Sequence, residues 1–493
     1  MADPNGWIIA ALTADGIFRV RGLQVGSASS DYTSAEIAER SARALGLSAS
    51  IRNQTDTTVA AAVWTYNHLL WYGQSLSIGQ ESWPAKSKDP TPDVLMYGGC
   101  VRAVAASSTT YDAVGTATLQ PMIAVVQNTN GTIMSDADVA ALAPGAPNYG
   151  ESPAEGAARF ARRLFLQSRG VAAAPDSKFV VSVAGVSGMT IAKLSKGASP
   201  EYFNRLREAA SKVKAASGAA GGTYGVAALF FMQGEADYYE THLSKADYKA
   251  ALLQLRNDFV ADVSAGISGQ SDPPVFITYQ TGGAYTEDGI AIGQAQYELS
   301  LENRGWYLAA PSYAVPDKGG HLGPNDSRWL GIQMGKVWHE VVVRRRGWRP
   351  TSPLQATWRG TTVLVDFHVP SPPLQFRPVY NGQTATSYLT KGFTVTDASG
   401  LVPITEVSIA GDAVVRITCA RTLVAPVTVS YGQKSVHNGN GNLCDSDPTT
   451  SADVYSYTAG SGDYAAANIS ELVGKPYPLW NWCVQFVMGA TAN

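Results

Sequence analysis

The chain has 493 residues, 45% of them hydrophobic and 16% charged, with a formal net charge of −3. This is an ordinary globular composition on a chain too long for one hydrophobic core, so two or three domains are expected. No basic face stands out beyond Arg344-Arg345-Arg346-Gly347-Trp348-Arg349. That run reads as a solvated helix end before a linker, so nucleic acid is not an expected partner.

No apolar run approaches the roughly 18 residues of a membrane span, so no membrane partner is expected. Met1-Ala2-Asp3-Pro4-Asn5-Gly6 has no basic start and does not read as a signal peptide. The expectation is a protein that stays inside the cell or leaves it by lysis. The 48 Gly and 26 Pro are spread along the chain and predict many turns and much β structure. Cys100, Cys419, Cys444 and Cys483 show no Cys-x-x-Cys spacing, so no zinc site, other metal or redox motif is predicted. Cys444 and Cys483 are candidates to pair.

Residues 1–60 read as a leader. Trp7-Ile8-Ile9-Ala10-Ala11-Leu12, Asp15-Gly16 and Ile17-Phe18-Arg19-Val20 predict a hairpin on an Asp-Gly turn. A helix is predicted over 34–45, with Gly46 past its end. A leader this small has no core of its own and is expected to pack on the main domain or on another subunit.

Residues 61–348 alternate strand and helix. Short apolar runs at 69–72, 122–126, 179–184, 226–232, 275–279 and 307–310 predict buried parallel strands. Ser152-Pro153-Ala154-Glu155 is a capping box with Pro at the first helical position, leading into Phe160 and Leu164. Ser199-Pro200-Glu201 opens a second helix with Leu206, Ala210 and Val213 on one face. Ser244-Lys245-Ala246-Asp247 opens a third, carrying Tyr248, Leu252, Leu255 and Phe259. The alternation predicts a doubly wound α/β domain, with its site at the carboxyl ends of the strands. Residues 349–493 change to period two: Val363, Val365, Phe367 and Val369; Val415, Ile417 and Cys419; Val427, Val429 and Tyr431. An antiparallel β-sandwich is expected there, ending in the aromatic segment Tyr477-Pro478-Leu479-Trp480-Asn481-Trp482.

Three polar clusters follow predicted strands. Gly73-Gln74-Ser75 ends the first. Gln233-Gly234-Glu235-Ala236-Asp237 follows 226–232, and Asp317-Lys318-Gly319-Gly320-His321-Leu322 follows the last strand. Parallel strands bring all three to one sheet edge. Acyl transfer needs a serine, a base for its proton, and donors aimed at the oxyanion. Ser75 is the candidate nucleophile and His321 the candidate base. The backbone N–H of Ser75, a Gly188 N–H and the Gln233 amide are candidate oxyanion donors. Of the other histidines, His68 reads as packed, His368 as solvated and His242 as a surface residue, while His339 and His437 have no evident partner. Glu235 and Asp237 are open to a second reading, as a carboxylate pair for glycoside hydrolysis, or as loop-holding acids.

In these blocks the chain resembles the SGNH/GDSL hydrolases, and within them the sialate O-acetylesterase-like carbohydrate esterases, over about residues 66–340. The resemblance implies a flavodoxin-like three-layer α/β/α domain and a cofactor-free serine esterase that removes acetyl groups from sugars. It assigns Ser75 as nucleophile, His321 as base, Asp317 as its orienting acid, and Gly188 and Gln233 to the oxyanion hole. Two departures are visible. The acid stands four residues before His321 where many members have three, which leaves Glu235 as a substitute. Leu76 stands where Asn often follows. Gly150, in Tyr149-Gly150-Glu151-Ser152-Pro153, is a second oxyanion candidate. The leader and the β tail resemble accessory parts of bacteriophage tail proteins acting on acetylated surface polysaccharide, which implies an acetylated glycan as substrate. A homo-oligomer formed through the leader, a trimer, is a further expectation. The rival from another class is a glycan-binding adhesin with an inactive esterase domain, binding through the β domain and the Trp480/Trp482 tail.

Overall fold

The computed structural model describes residues 31–380 and 385–493, together with the backbone of 11–12 and 18–19. Those two pairs form strands β1 (Ala11–Leu12) and β2 (Phe18–Arg19), antiparallel to each other. The rest of the expected hairpin lies outside the described residues.

The main sheet holds β3 (Tyr66–Gly73), β4 (Val94–Tyr97), β5 (Leu119–Pro121), β6 (Lys178–Val183), β7 (Tyr224–Met232), β8 (Val275–Gln280) and β9 (Trp306–Pro311). Their order is β5-β4-β6-β3-β7-β8-β9, all parallel except the edge strand β5. The connecting helices are α2 (Asp136–Ala140), α3 (Pro153–Arg169), α4 (Ile191–Leu194), α5 (Asn204–Ala219), α6 (Lys245–Phe259), α7 (Ala291–Glu302) and α8 (Pro324–Trp338), after a leader helix α1 (Ser34–Asn53). The alternation of β3 shows the layering. Leu69 and Trp71 face one core with α3 and α8, while Leu70 and Tyr72 face the other with α5, α6 and α7. Each such fully buried side chain contributes about 1.5–3 kcal/mol. The chain winds from β3 toward β4 on one side and toward β9 on the other. The carboxyl end of β3 is therefore a switch point, where doubly wound sheets hold their sites.

Several expectations are corrected. The run 122–126 forms no strand. Its backbone bonds singly to Val94 and Ser87 instead of a continuous neighbour, and the ladder lies at β5, antiparallel, ending at Pro121. Strand β4 went unread because four residues carry no period. The helix placed at Ser199 begins at Asn204, after a turn in which Tyr202 N–H donates to Pro200 O and Asn204 N–H to Glu201 O.

Helix α1 runs past Gly46 to Asn53 because tertiary contacts carry it. Ser48 Oγ donates to Ala44 O and accepts from Val369 N–H. Arg40 Nε meets Asp366 Oδ1 at 2.9 Å with both side chains buried, and Tyr32 and Ile37 pack on Leu364 and Val414. The leader helix thus covers the C-terminal domain of its own chain.

That domain holds β10 (Ser352–Arg359), β11 (Thr362–His368), the short β12 (Gln375–Phe376), β13 (Phe393–Asp397), β14 (Gly400–Val402), β15 (Ile404–Gly411), β16 (Val414–Cys419), β17 (Val427–Tyr431), three further short strands β18 (Leu443–Cys444), β19 (Thr450–Val454) and β20 (Pro476–Pro478), and β21 (Phe486–Ala492). In place of two separate sheets there is one eight-stranded sheet, β14-β13-β17-β21-β10-β11-β16-β15, antiparallel except where β10 meets β21. Its two halves share one core, with Phe367 of β11 against Phe393 of β13 and Phe486 of β21. His368 is buried in this domain, its Nε2 at 3.0 Å from Arg349 O, and is not solvated. All four cysteines are free and buried.

Between β18 and β21 the chain leaves that sheet, and β21 then rejoins it. Residues 450–482 return across α8. Trp329 Nε1 donates to Pro478 O at 2.8 Å, Gln333 Nε2 to Trp480 O at 3.0 Å and Lys336 Nζ to Leu479 O at 2.8 Å. Tyr477 and Leu479 belong to the main-domain core. Helix α8 lies between the sheet and this segment, and every one of its residues is buried. Trp482 is core as well, at 5% exposure.

Candidate active site

Ser75 opens a single turn, Ser75–Ile78, at the carboxyl end of β3. The approach to it is backbone against backbone. Gly73 has φ +140, and a Cβ there would lie 1.8 Å from Met232 O of β7, so only glycine fits. Gln74 fastens the turn to the neighbouring strand, its Oε1 accepting from Gly234 N–H at 3.2 Å and Ala236 N–H at 3.1 Å. On the other side Val186 N–H donates to Gly73 O at 2.9 Å, which seats the 185–189 loop against the Ser75 turn. Ser77 Oγ donates to Gln74 O and is consumed in shaping the turn. Among the described residues the Ser75 hydroxyl makes no hydrogen bond, and neither the Ser75 N–H nor the Gly188 N–H meets a protein acceptor.

His321 reaches this edge from the loop between β9 and α8. Lys318 N–H donates to His321 O at 2.8 Å, and Asp317 pairs with Leu322. Gly320, at φ +127, passes so near Tyr285 that a Cβ would lie 2.2 Å from its hydroxyl. The His321 ring then donates from Nδ1 to Glu81 Oε1 at 2.8 Å, with both side chains 19% exposed. This fixes Nδ1 as the protonated nitrogen and leaves Nε2 as an acceptor.

Glu81 is itself strongly held. It has φ +59, a conformation rare for a residue with a side chain. Its N–H donates to Asn148 O at 2.7 Å, and its carbonyl accepts a short hydrogen bond from Lys318 Nζ. Burial pushes the Glu81 carboxyl up. The His321 hydrogen bond, the His321 and Lys318 charges and a Gln80 hydrogen bond outweigh it, and the group sits below its ordinary value. Gln80 Oε1 in turn accepts from Ser187 Oγ, beside Gly188.

Asp317, the acid expected on His321, faces its own turn. Its Oδ1 accepts from Gly319 N–H and Gly320 N–H, each at 2.5 Å. Burial raises its carboxyl, partly offset by those two amides and by the charge of His321. It shapes the loop that presents His321, while Glu81 holds Nδ1. Glu235 does not substitute for it: it is buried, with Oε1 accepting from Tyr279 OH and from Thr281 Oγ1 at 2.8 Å. Burial pushes Glu235 up, against those hydrogen bonds and with a further push from Asp317.

Two expected oxyanion donors are already engaged. Gln233 Nε2 donates to Asp237 Oδ2 at 2.5 Å and to Met189 O at 3.3 Å, which occupies both of its protons. Gly150 N–H donates to Gly79 O at 2.8 Å. The Gln233 block has a different task. Asp237 Oδ2 also accepts from Ile191 N–H at 2.7 Å, and Oδ1 accepts from Thr241 Oγ1 at 2.7 Å. Gln233 and Asp237 thereby anchor both ends of the 189–191 segment next to Gly188. With both Asp237 oxygens bonded and the side chain fully buried, the Glu235/Asp237 pair has no face for a glycosidic oxygen. Gly150 serves the turn from below: its carbonyl accepts from Arg102 Nη1 at 2.7 Å.

The remaining histidines take no part. His68 is fully buried, bonded at 2.9 Å to Tyr224 OH and to Ser182 Oγ, and pushed down to about 3 by burial. His242 lies exposed against Glu287 at 2.8 Å, and His437 Nε2 meets Thr390 Oγ1 at 2.7 Å. Among the described residues no cluster of His, Cys, Asp or Glu is placed to hold a metal ion, and no helix is long and apolar enough to cross a membrane.

Sequence comparison finds no matching protein-family profile and no matching curated protein. Among solved structures the chain is similar to a carbohydrate acetylesterase from Xanthomonas citri, at 13% identity and TM-score 0.49, over 86% of this chain and 80% of that one. It is also similar to NanS, at 13% identity and TM-score 0.37, over 58% of this chain and 98% of that one. A third is Est24, a carbohydrate acetylesterase from Sinorhizobium meliloti, at 13% identity and TM-score 0.25, over 56% of this chain and 99% of that one.

Proposed function

We propose that the chain is a serine esterase that removes O-acetyl groups from carbohydrate. The observation that carries this reading is the Glu81–His321 pair docked onto the loop that follows Ser75. Ser75 Oγ gives its proton to His321 Nε2 as it attacks the acetyl carbonyl, and the Nδ1–H bond to Glu81 stabilises the imidazolium that forms. The Ser75 and Gly188 N–H groups receive the oxyanion. The sugar hydroxyl leaves with the proton from Nε2, and water, deprotonated by the same nitrogen, releases acetate and Ser75. The free Ser75 hydroxyl is consistent with a contact to His321 that tightens only around substrate. SGNH-type architecture and an acetylated polysaccharide substrate, including sialic-acid-like sugars, belong to the same reading.

Hydrolysis of an aryl acetate, together with acetate release from an acetylated glycan, tests it. Ser75→Ala is expected to cut turnover by at least about 10⁴-fold. Wild-type turnover in that variant contradicts the assignment. Polysaccharide binding by a wild-type protein with no turnover would favour an adhesin.

A further inference from the structure

The basic run 344–349 is not simply a solvated helix end. Together with the last turn of α8 and the end of α1 it lines a cavity of about 580 Å³ where the α/β domain meets the β domain. That volume lies within the range of small-molecule sites.

The charges in this cavity do not cancel. Arg344 Nη1 is paired with Glu340 at 2.8 Å and Lys336 Nζ with Asp447 at 3.2 Å. Among the described residues Arg52 donates to a backbone carbonyl, Val369 O at 3.0 Å, and to no carboxylate. Arg346 and Arg349 line the cavity with no carboxylate at ion-pair distance among the described residues. The wall is cationic on a chain whose formal net charge is −3, which marks it as local and not a general surface property.

Two further features point to a ligand. His339, 6% exposed, is weakly held: neither ring nitrogen makes a close hydrogen bond to a protein group among the described residues. Its polar neighbours are the Leu164 carbonyl and Glu340 Oε1, the latter 3.9 Å from Nδ1. Buried polar atoms left without a partner are uncommon in folded proteins. Beside it the Trp348 indole, held by Nε1–H to Leu308 O at 3.0 Å, offers a fixed aromatic wall. Planar guanidinium groups match carboxylates in two-point geometry, and aromatic rings supply the apolar lining of small-molecule sites; Lys336 Nζ lies 5.6 Å from the Trp348 ring centroid.

We propose that this cavity binds a carboxylate-bearing saccharide, with Arg52, Arg346 and Arg349 on the carboxylate, His339 on a ring hydroxyl and Trp348 against the ring. The site lies at the far end of α8 from His321, roughly 22 Å along the helix axis at 1.5 Å per residue. It therefore holds a second stretch of an acidic polymer and not the acetyl group being cleaved. The choice of a saccharide rests on the esterase reading above; the anion site does not.

The test is calorimetric titration of the full chain with a galacturonic acid hexamer, with maltohexaose and inorganic phosphate as separate arms. The hexamer is expected to bind, and Arg346→Gln/Arg349→Gln to weaken it at least about tenfold, which is about 1.4 kcal/mol. Arg346→Gln alone, at an exposed position, should weaken it in the same direction, and aryl acetate turnover should be unchanged in both variants. Undetectable hexamer binding, equal binding by the double variant, or equally tight binding of maltohexaose or phosphate overturns the proposal. Absent aryl acetate turnover in a wild-type protein that binds the hexamer removes the esterase reading alone.

Discussion

Glu81 Oε1 accepts a hydrogen bond from His321 Nδ1 at 2.8 Å, and Glu81 belongs to the same loop as Ser75. On the proposed reading, nucleophile and orienting acid come from one segment, and the base from another. Glu81→Gln leaves the loop intact but loses the charge that stabilises the imidazolium. Its kcat on an aryl acetate is expected to fall by about 10²–10⁴-fold with little change in KM. Asp317→Asn should lose much less. Steady-state kinetics on the two variants separate the roles, and a larger loss in Asp317→Asn would return the orienting role to Asp317.

Asp237 tests the positioning of the Gly188 loop. Asp237→Ala leaves Ile191 N–H and Gln233 Nε2 without their buried acceptor. Each such loss costs about 1–3 kcal/mol. The variant is expected to melt lower and to lose kcat, since Gly188 N–H is no longer held where the oxyanion forms. Unchanged kcat in the folded variant would remove Gly188 from the oxyanion hole.

The leader helix gives a stability prediction away from the chemistry. Arg40→Ala strands the buried Asp366 carboxylate. Breaking one partner of a buried pair costs about 3–5 kcal/mol. Chemical denaturation should show that loss in the C-terminal domain, with aryl acetate turnover at 25 °C retained.

Asp326, in the first turn of α8, sets a pH dependence. Burial pushes its carboxyl up to about 8, against a hydrogen bond from Gly323 N–H and the charge of Lys318. The folded state holds this proton more tightly than the unfolded chain does. The contribution is fully present below the ordinary carboxyl value and is lost as pH rises toward about 8. Asp326→Asn should flatten that decline in urea midpoints measured across the interval. A slope equal to wild type would contradict it.

What could be read in advance follows from how local each feature is. The parallel strands other than β4 were legible because buried runs such as 226–232 have no polar interruption, and the α3 capping box was legible because its signal lies within four residues. Ser75 and His321 stood out as polar residues at strand ends. Glu81 did not, because nothing in Gly79-Gln80-Glu81 distinguishes it from a surface acid; only the fold brings it to His321. Gln233 misled for the opposite reason: its amide is the right chemistry, but Asp237, four residues on, captures it. The Arg344–Arg349 run is likewise plain in sequence, and only the return of the C-terminal segment gives it walls.

The most direct measurement is mass spectrometry of the protein acid-quenched during turnover of an aryl acetate, followed by peptide mapping. One acetyl group on the peptide carrying Ser75, absent in Ser75→Ala and less abundant in Glu81→Gln, is the predicted result. Acetyl on another residue, or none in a sample that is turning over, would contradict Ser75 as the nucleophile.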